Sequence, residues 1–100
     1  MVDVAIIGVG LHPFGRFAAK SAFDMAADAT NLALADAGVE WKDVQFAAAG
    51  SMEVSLPDTV TRLLGLTGIQ FTSVFNACAT AAPSLQLAAD AIQLGQADIS

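Results

Sequence analysis

Tyrosine is absent from this 100-residue chain, and cysteine, histidine and tryptophan occur once each. Lysine and arginine together number four against ten acids, for a net charge of −6. The bases Arg16, Lys20, Lys42 and Arg62 are scattered. Nucleic-acid binding needs clustered cations against phosphates, so this distribution argues against it. A single cysteine cannot close an intramolecular disulfide, which fits a reducing compartment. One cysteine and one histidine are too few to hold a metal, and no metal site is expected. The opening MVDVAIIGVGL starts with an acid, lacks a basic flank and is too short to cross a bilayer. A cytoplasmic protein without a membrane span is expected.

Charge itself is scarce. Hydrophobic residues make up 55% and charged residues 14%, against about a quarter charged in an average globular chain. A small domain exposes much of its surface and needs more charge than this to stay soluble. Residues 1–100 therefore read as the N-terminal portion of a larger core.

Alternating elements are present throughout. Val2–Val9 is a continuous apolar run ending among Gly8 and Gly10, and predicts a strand buried on both faces. Ser21, with Asp24 three residues on, predicts a helix start, and Gly38 its stop. VQFAAAG, residues 44–50, predicts a second strand. A helix with Pro57 in its first turn follows and stops at Gly65. IQFTSVF predicts the third strand by its aromatic and β-branched residues. From about Ala79 an alanine-rich helix runs to Gly95, and ADIS is positioned to open a fourth strand. The order β-α-β-α-β-α implies an α/β fold with a mainly parallel sheet covered by helices.

Cys78 falls where the third strand gives way to the third helix. Ligands of open parallel sheets bind at the carboxyl ends of the strands. The N-terminal end of a helix favours an anion, so a thiol there is placed to act as a thiolate nucleophile that accepts an acyl group. The neighbouring N–H groups are placed to steady an oxyanion. The plainer alternative is a small buried hydrophobe. Pro83 fits the first turn of the following helix. GVGLHPFG does not complete a dinucleotide fingerprint, because Pro13 stands where the third glycine belongs. His12, in the same loop, reads as a surface or packing residue and not as a catalyst. Met52 and Glu53, in the loop after the second strand, are candidates for the border of a substrate pocket or of a subunit contact.

DVAIIGVGLHPFGR, NACATAA and AADAIQLGQADIS together resemble the first part of the thiolase-like acyl-CoA acetyltransferases, nearest to the branch of sterol-carrier-protein-X thiolases and bacterial lipid-transfer thiolase homologues. The resemblance covers essentially the whole chain and implies a thiolase-like fold. It implies that Cys78 takes the acyl group from coenzyme A, which is a substrate or product and not a bound cofactor. Asn76, Ala79 and Thr80 then shape the turn and its oxyanion-facing side. The family commonly has glycine shortly after the cysteine, where Ala81 and Ala82 stand. Its remaining catalytic groups, two histidines and a second cysteine or its replacement, have no counterpart in these residues, so the piece alone is expected to be inactive. The resemblance further implies an acyl-CoA substrate, a homodimer or tetramer, and a small OB-fold partner subunit. Alternatives are a β-ketoacyl synthase, a retro-aldol lyase on the same fold, against which the lack of tyrosine weighs, and a non-catalytic lipid- or acyl-binding homologue.

Overall fold

The computed structural model describes residues 2–52 and 56–100. Helix α1, Ala22–Ala37, begins where the sequence places it. The Ser21 hydroxyl accepts a hydrogen bond from the Asp24 amide at 3.1 Å, and the Asp24 carboxylate accepts one from the Ser21 amide at 3.0 Å. This reciprocal box satisfies two N–H groups that the helix cannot. At the other end Gly38 takes a left-handed conformation (φ +70°), where a side chain would be strained. Its amide donates to Ala35, and that of Val39 donates to Leu34.

Strand β1, Phe46–Ala49, pairs in parallel with β2, Gln70–Ser73, in the register Phe46 opposite Gln70 and Ala49 opposite Ser73. Two parallel strands cannot be joined by a tight turn. The crossover contains α2, Leu56–Leu64, with Pro57 in its first turn and the Gly65 amide donating to Thr61 at its end. Helix α2 buries Leu56 and Val60 and packs on α1. A one-turn 3-10 segment, Trp41–Asp43, precedes β1, and the Trp41 indole N–H donates to the Gly65 carbonyl at 3.0 Å. Helix α3, Ala81–Gln93, lies against β1, where Phe46, Ala91 and Ala97 form a small buried cluster.

The structure corrects the expected first strand. Val2–Val9 forms no ladder, and Ile6 and Val9 are 75% and 69% exposed. The segment is instead laid along α1: a Cβ on Gly8 or Gly10 would collide with the helix backbone at Ala33 or Ala29. The Val9 amide donates to the Asp36 carboxylate at 2.9 Å, so a side chain takes the donor that a neighbouring strand would have used. The ADIS segment is likewise not a strand, although the Gln45 amide donates to the Ile99 carbonyl at 2.9 Å and draws it beside the start of β1. The element order is therefore α-β-α-β-α, a mixed α/β arrangement compatible with a thiolase-like fold.

Two outcomes follow from the α1 cap. Ser21→Ala removes the hydroxyl acceptor and is expected to cost about 1 kcal/mol, read as a lower urea midpoint at unchanged slope. The backbone and hydroxyl hydrogen bonds from Ser21, followed by the Lys20 and Arg62 charges, hold the Asp24 carboxyl below its usual range. A lowered folded value means that the contribution is complete above the unfolded value of about 3.9 and disappears as pH falls through the folded value. The stability gap between the unsubstituted protein and Asp24→Asn should thus be constant near about pH 6 and close only below about pH 4. A gap that shrinks with rising pH instead would refute this origin.

Candidate active site

The backbone between β2 and α3 is set by three contacts. The Val74 amide donates to the Ala49 carbonyl at 2.9 Å, extending the parallel ladder one step beyond β2. There the end of β1 and the end of β2 approach so closely that a Cβ on Gly50 would overlap the Val74 carbonyl oxygen and come within 2.5 Å of Thr80 Cγ2. Only glycine fits such an approach. Beyond it the chain enters a single 3-10 turn, Ala77–Ala79, before α3 starts at Ala81.

Cys78 is the middle residue of that turn and is exposed. The sequence places it at the start of the helix; the structure interposes the 3-10 turn, because Ala77 adopts φ +48°. A non-glycine residue in this left-handed region costs about 1–3 kcal/mol and persists only where its surroundings hold it. Thr80 does the holding. Its Oγ1 accepts from the Asn76 amide at 2.9 Å and donates to the Ala77 carbonyl at 2.7 Å. The Ala79 amide closes onto the Asn76 carbonyl at 3.0 Å.

Ser84, one turn into α3, is buried and donates its hydroxyl to the Thr80 carbonyl at 2.8 Å. Pro83 sits in the first turn, where the helix needs no N–H donor from it. Cys78, Thr80, Ala81, Ser84 and Leu85 face Ala48, Ala49 and Gly50 across an open groove of about 530 Å³. None of these lining residues is charged. Among the described residues the groove therefore offers a thiol, two hydroxyl-bearing residues and small apolar walls, but no general base.

The other sequence candidates are distributed unevenly. Asn76 and Ala79 belong to the turn and are exposed, Asn76 contributing its backbone to the clip. Met52 is 90% exposed in the loop after β1 and does not line the groove. Glu53 lies outside the described residues. His12 is held away from this groove, 3.1 Å from the Lys20 ammonium, which in turn contacts Asp28 at 2.5 Å. Among the described residues no three His, Cys, Asp or Glu side chains stand together as a metal site would require, and no helix is long and apolar enough to cross a membrane. A more enclosed apolar cavity of about 290 Å³ lies between α1, β1 and α3; its walls are mainly Ala, Leu, Val and Ile, with the hydroxyls of Thr30, Ser84 and Ser100 but no thiol. Gly50 and Ala77 were not among the sequence candidates. An isolated glycine ending an apolar strand is a signal of close backbone approach; nothing in the sequence announces the left-handed alanine.

Comparison with known proteins adds the family context. The chain is 34% identical to 17-hydroxy-3-oxo-4-pregnene-20-carboxyl-CoA lyase of Mycobacterium tuberculosis over 97% of its own length and 25% of that protein. It is 36% identical to an acetyl-CoA acetyltransferase of Methanothermobacter thermautotrophicus, over 99% of the chain and 28% of that enzyme. Sterol carrier protein 2 of Gallus gallus is 33% identical over 95% of the chain and 18% of that protein. The chain thus spans about a quarter or less of the length of these curated relatives. They support a thiolase-like relation, while the family that matches residues 17–100 is a related one and not the acetyltransferase family itself. The chain belongs to the family of stage V sporulation protein AD (SpoVAD).

Proposed function

We propose that this chain carries the nucleophile of a thiolase-type acyl-CoA enzyme. The observation that carries the reading is the exposed Cys78 on a strained turn between a parallel strand and a helix, opening on an apolar groove. Two relatives support a coenzyme A ester as substrate, since one is named an acetyl-CoA acetyltransferase and the other a carboxyl-CoA lyase; of the two, the acetyltransferase supports acyl transfer. What they share is a CoA-thioester substrate.

In this reading the Cys78 thiolate attacks the thioester carbonyl carbon, the carbon–sulfur bond to coenzyme A breaks, and the departing CoA thiolate takes up a proton. The acyl group then rests on Cys78 as a thioester. In condensation a carbanion captures it from Cys78. In the degradative direction the thiolate instead attacks the 3-oxo carbon of a 3-oxoacyl-CoA, the C2–C3 bond breaks, and acetyl-CoA leaves as its enolate and takes up a proton. The acyl group then passes from Cys78 to the thiolate of a second coenzyme A. Among the described residues the groove holds neither the base that deprotonates Cys78 nor the acid that protonates coenzyme A, and these roles are proposed for other segments of the full-length protein. Backbone N–H groups at the start of α3 are the candidates for steadying the tetrahedral oxyanion.

The assembly reading follows the sheet. Strand β2 pairs with β1 on one edge, and Phe75 just beyond it is 69% exposed. The other edge of β2 has no strand beside it among the described residues, and such an edge invites pairing with a copy of itself. The protein is accordingly proposed to work as a homodimer or tetramer; a reducing, cytoplasmic setting is proposed from the single cysteine, and a small OB-fold partner subunit from the family resemblance alone.

Incubating the full-length protein with acetyl-CoA should add one acetyl group to Cys78 by intact mass and peptide mapping. Cys78→Ser should lose at least about 100-fold in thiolysis with the circular dichroism spectrum unchanged, because the hydroxyl is a far weaker nucleophile at neutral pH. Retained activity in the serine variant would refute the nucleophile, and a full-length protein that takes no acetyl group and shows no thiolysis would favour a binding protein. Light scattering should give twice or four times the protomer mass at about micromolar concentration, and a stable monomer would remove the assembly reading.

A further inference from the structure

Thr80 stands at a position where three independent constraints meet. Its hydroxyl spans the turn, accepting from the Asn76 amide and donating to the Ala77 carbonyl. Its carbonyl accepts both the amide and the hydroxyl of buried Ser84, anchoring it to the first turn of α3. Its methyl group lies against Gly50, where any side chain would force it aside. The residue is half-buried while its neighbours Ala77, Cys78 and Ala79 are exposed.

Ala77 is the one non-glycine residue with positive φ among those described, and it immediately precedes Cys78. Left alone, this alanine would relax to an ordinary conformation and turn the next residue away. We propose that Thr80, seated by Gly50, is the positioning residue that locks the Ala77 turn and so fixes the Cys78 thiol at the mouth of the groove. This rests on the proposed role of Cys78 as the acyl acceptor. Thr80 lines the groove, but its hydroxyl is engaged by the Asn76 amide and the Ala77 carbonyl, so it acts through the backbone of the turn. Serine preserves the hydroxyl clip, whereas valine keeps the shape and removes both hydrogen bonds.

The test compares Thr80→Val, Thr80→Ser and Ser21→Ala in the full-length protein, the last as a variant weakened at a distant helix cap. In Thr80→Val the Asn76 amide is expected to exchange with solvent about tenfold faster, the consequence of one lost hydrogen bond. Acetylation of Cys78 at saturating acetyl-CoA should fall at least about tenfold with the half-saturating concentration unchanged, as for a misplaced nucleophile. Thr80→Ser should restore both, and Ser21→Ala should change neither. Normal acetylation in Thr80→Val, or an equal loss in Ser21→Ala, overturns the positioning role and leaves the acyl-transfer reading intact. If the unsubstituted protein takes no acetyl group, the acyl-transfer reading fails, and iodoacetamide decides the positioning. Alkylation of Cys78 slowed at least about threefold in Thr80→Val and recovered in Thr80→Ser upholds the lock, and unchanged rates overturn it.

Discussion

The parallel pairing of Phe46–Ala49 with Gln70–Ser73 imposes a geometry that the surrounding elements must meet. Parallel strands begin at the same end, so the chain must travel the length of the sheet between them, and α2 makes that journey. They also finish at the same end. The additional bond from Val74 to Ala49 brings the two strand termini into contact there. With Gly50 offering no side chain, the second strand leaves the sheet directly over the first. The next few residues then have to reverse toward α3 within a tight space, and the left-handed Ala77 followed by a 3-10 turn accomplishes the reversal. Exposure of the cysteine is thus a product of the sheet, transmitted through the crossing at Gly50.

Small side chains recur wherever backbone meets backbone. Ala27, Ala91 and Ala97 are buried, and Ala48 packs beside Phe46. Each contributes little apolar area, and burial is worth roughly 25 cal/mol per Å², so close approach here is not matched by a large hydrophobic gain. Ile6, Val9, Phe14, Leu66 and Leu94 remain largely exposed. Such a distribution suits a surface that further protein covers, in keeping with the chain's span of about a quarter or less of its curated relatives.

Elements whose ends are written in local chemistry were legible from the sequence. Ser21 with Asp24, Gly38, Pro57 and Gly65 each determine a boundary through hydrogen bonds or dihedral angles that need no distant partner. The two strands that pair with each other were legible as well. Val2–Val9 was not, because an apolar run becomes a strand only when a neighbour accepts its backbone, and here Asp36 and the α1 backbone take that place. At the site, the change of pattern around Cys78 locates the junction, but the 3-10 turn depends on Thr80, Gly50 and Val74 meeting across 30 positions of sequence. Periodicity carries no information about such a meeting.

The Trp41 indole has a consequence for observing the molecule. The chain has one tryptophan and no tyrosine, so its near-ultraviolet emission under selective excitation comes from a single ring. That ring is half-buried and donates its N–H to the carbonyl of Gly65, the residue that ends α2. Its colour and intensity therefore report on the seating of the crossover helix against the turn before β1, a joint distinct from the cysteine-bearing one. Loosening of the crossover would shift the light to the red as water reaches the indole, while events confined to the 3-10 turn at Ala77–Ala79 would leave its colour and intensity unchanged.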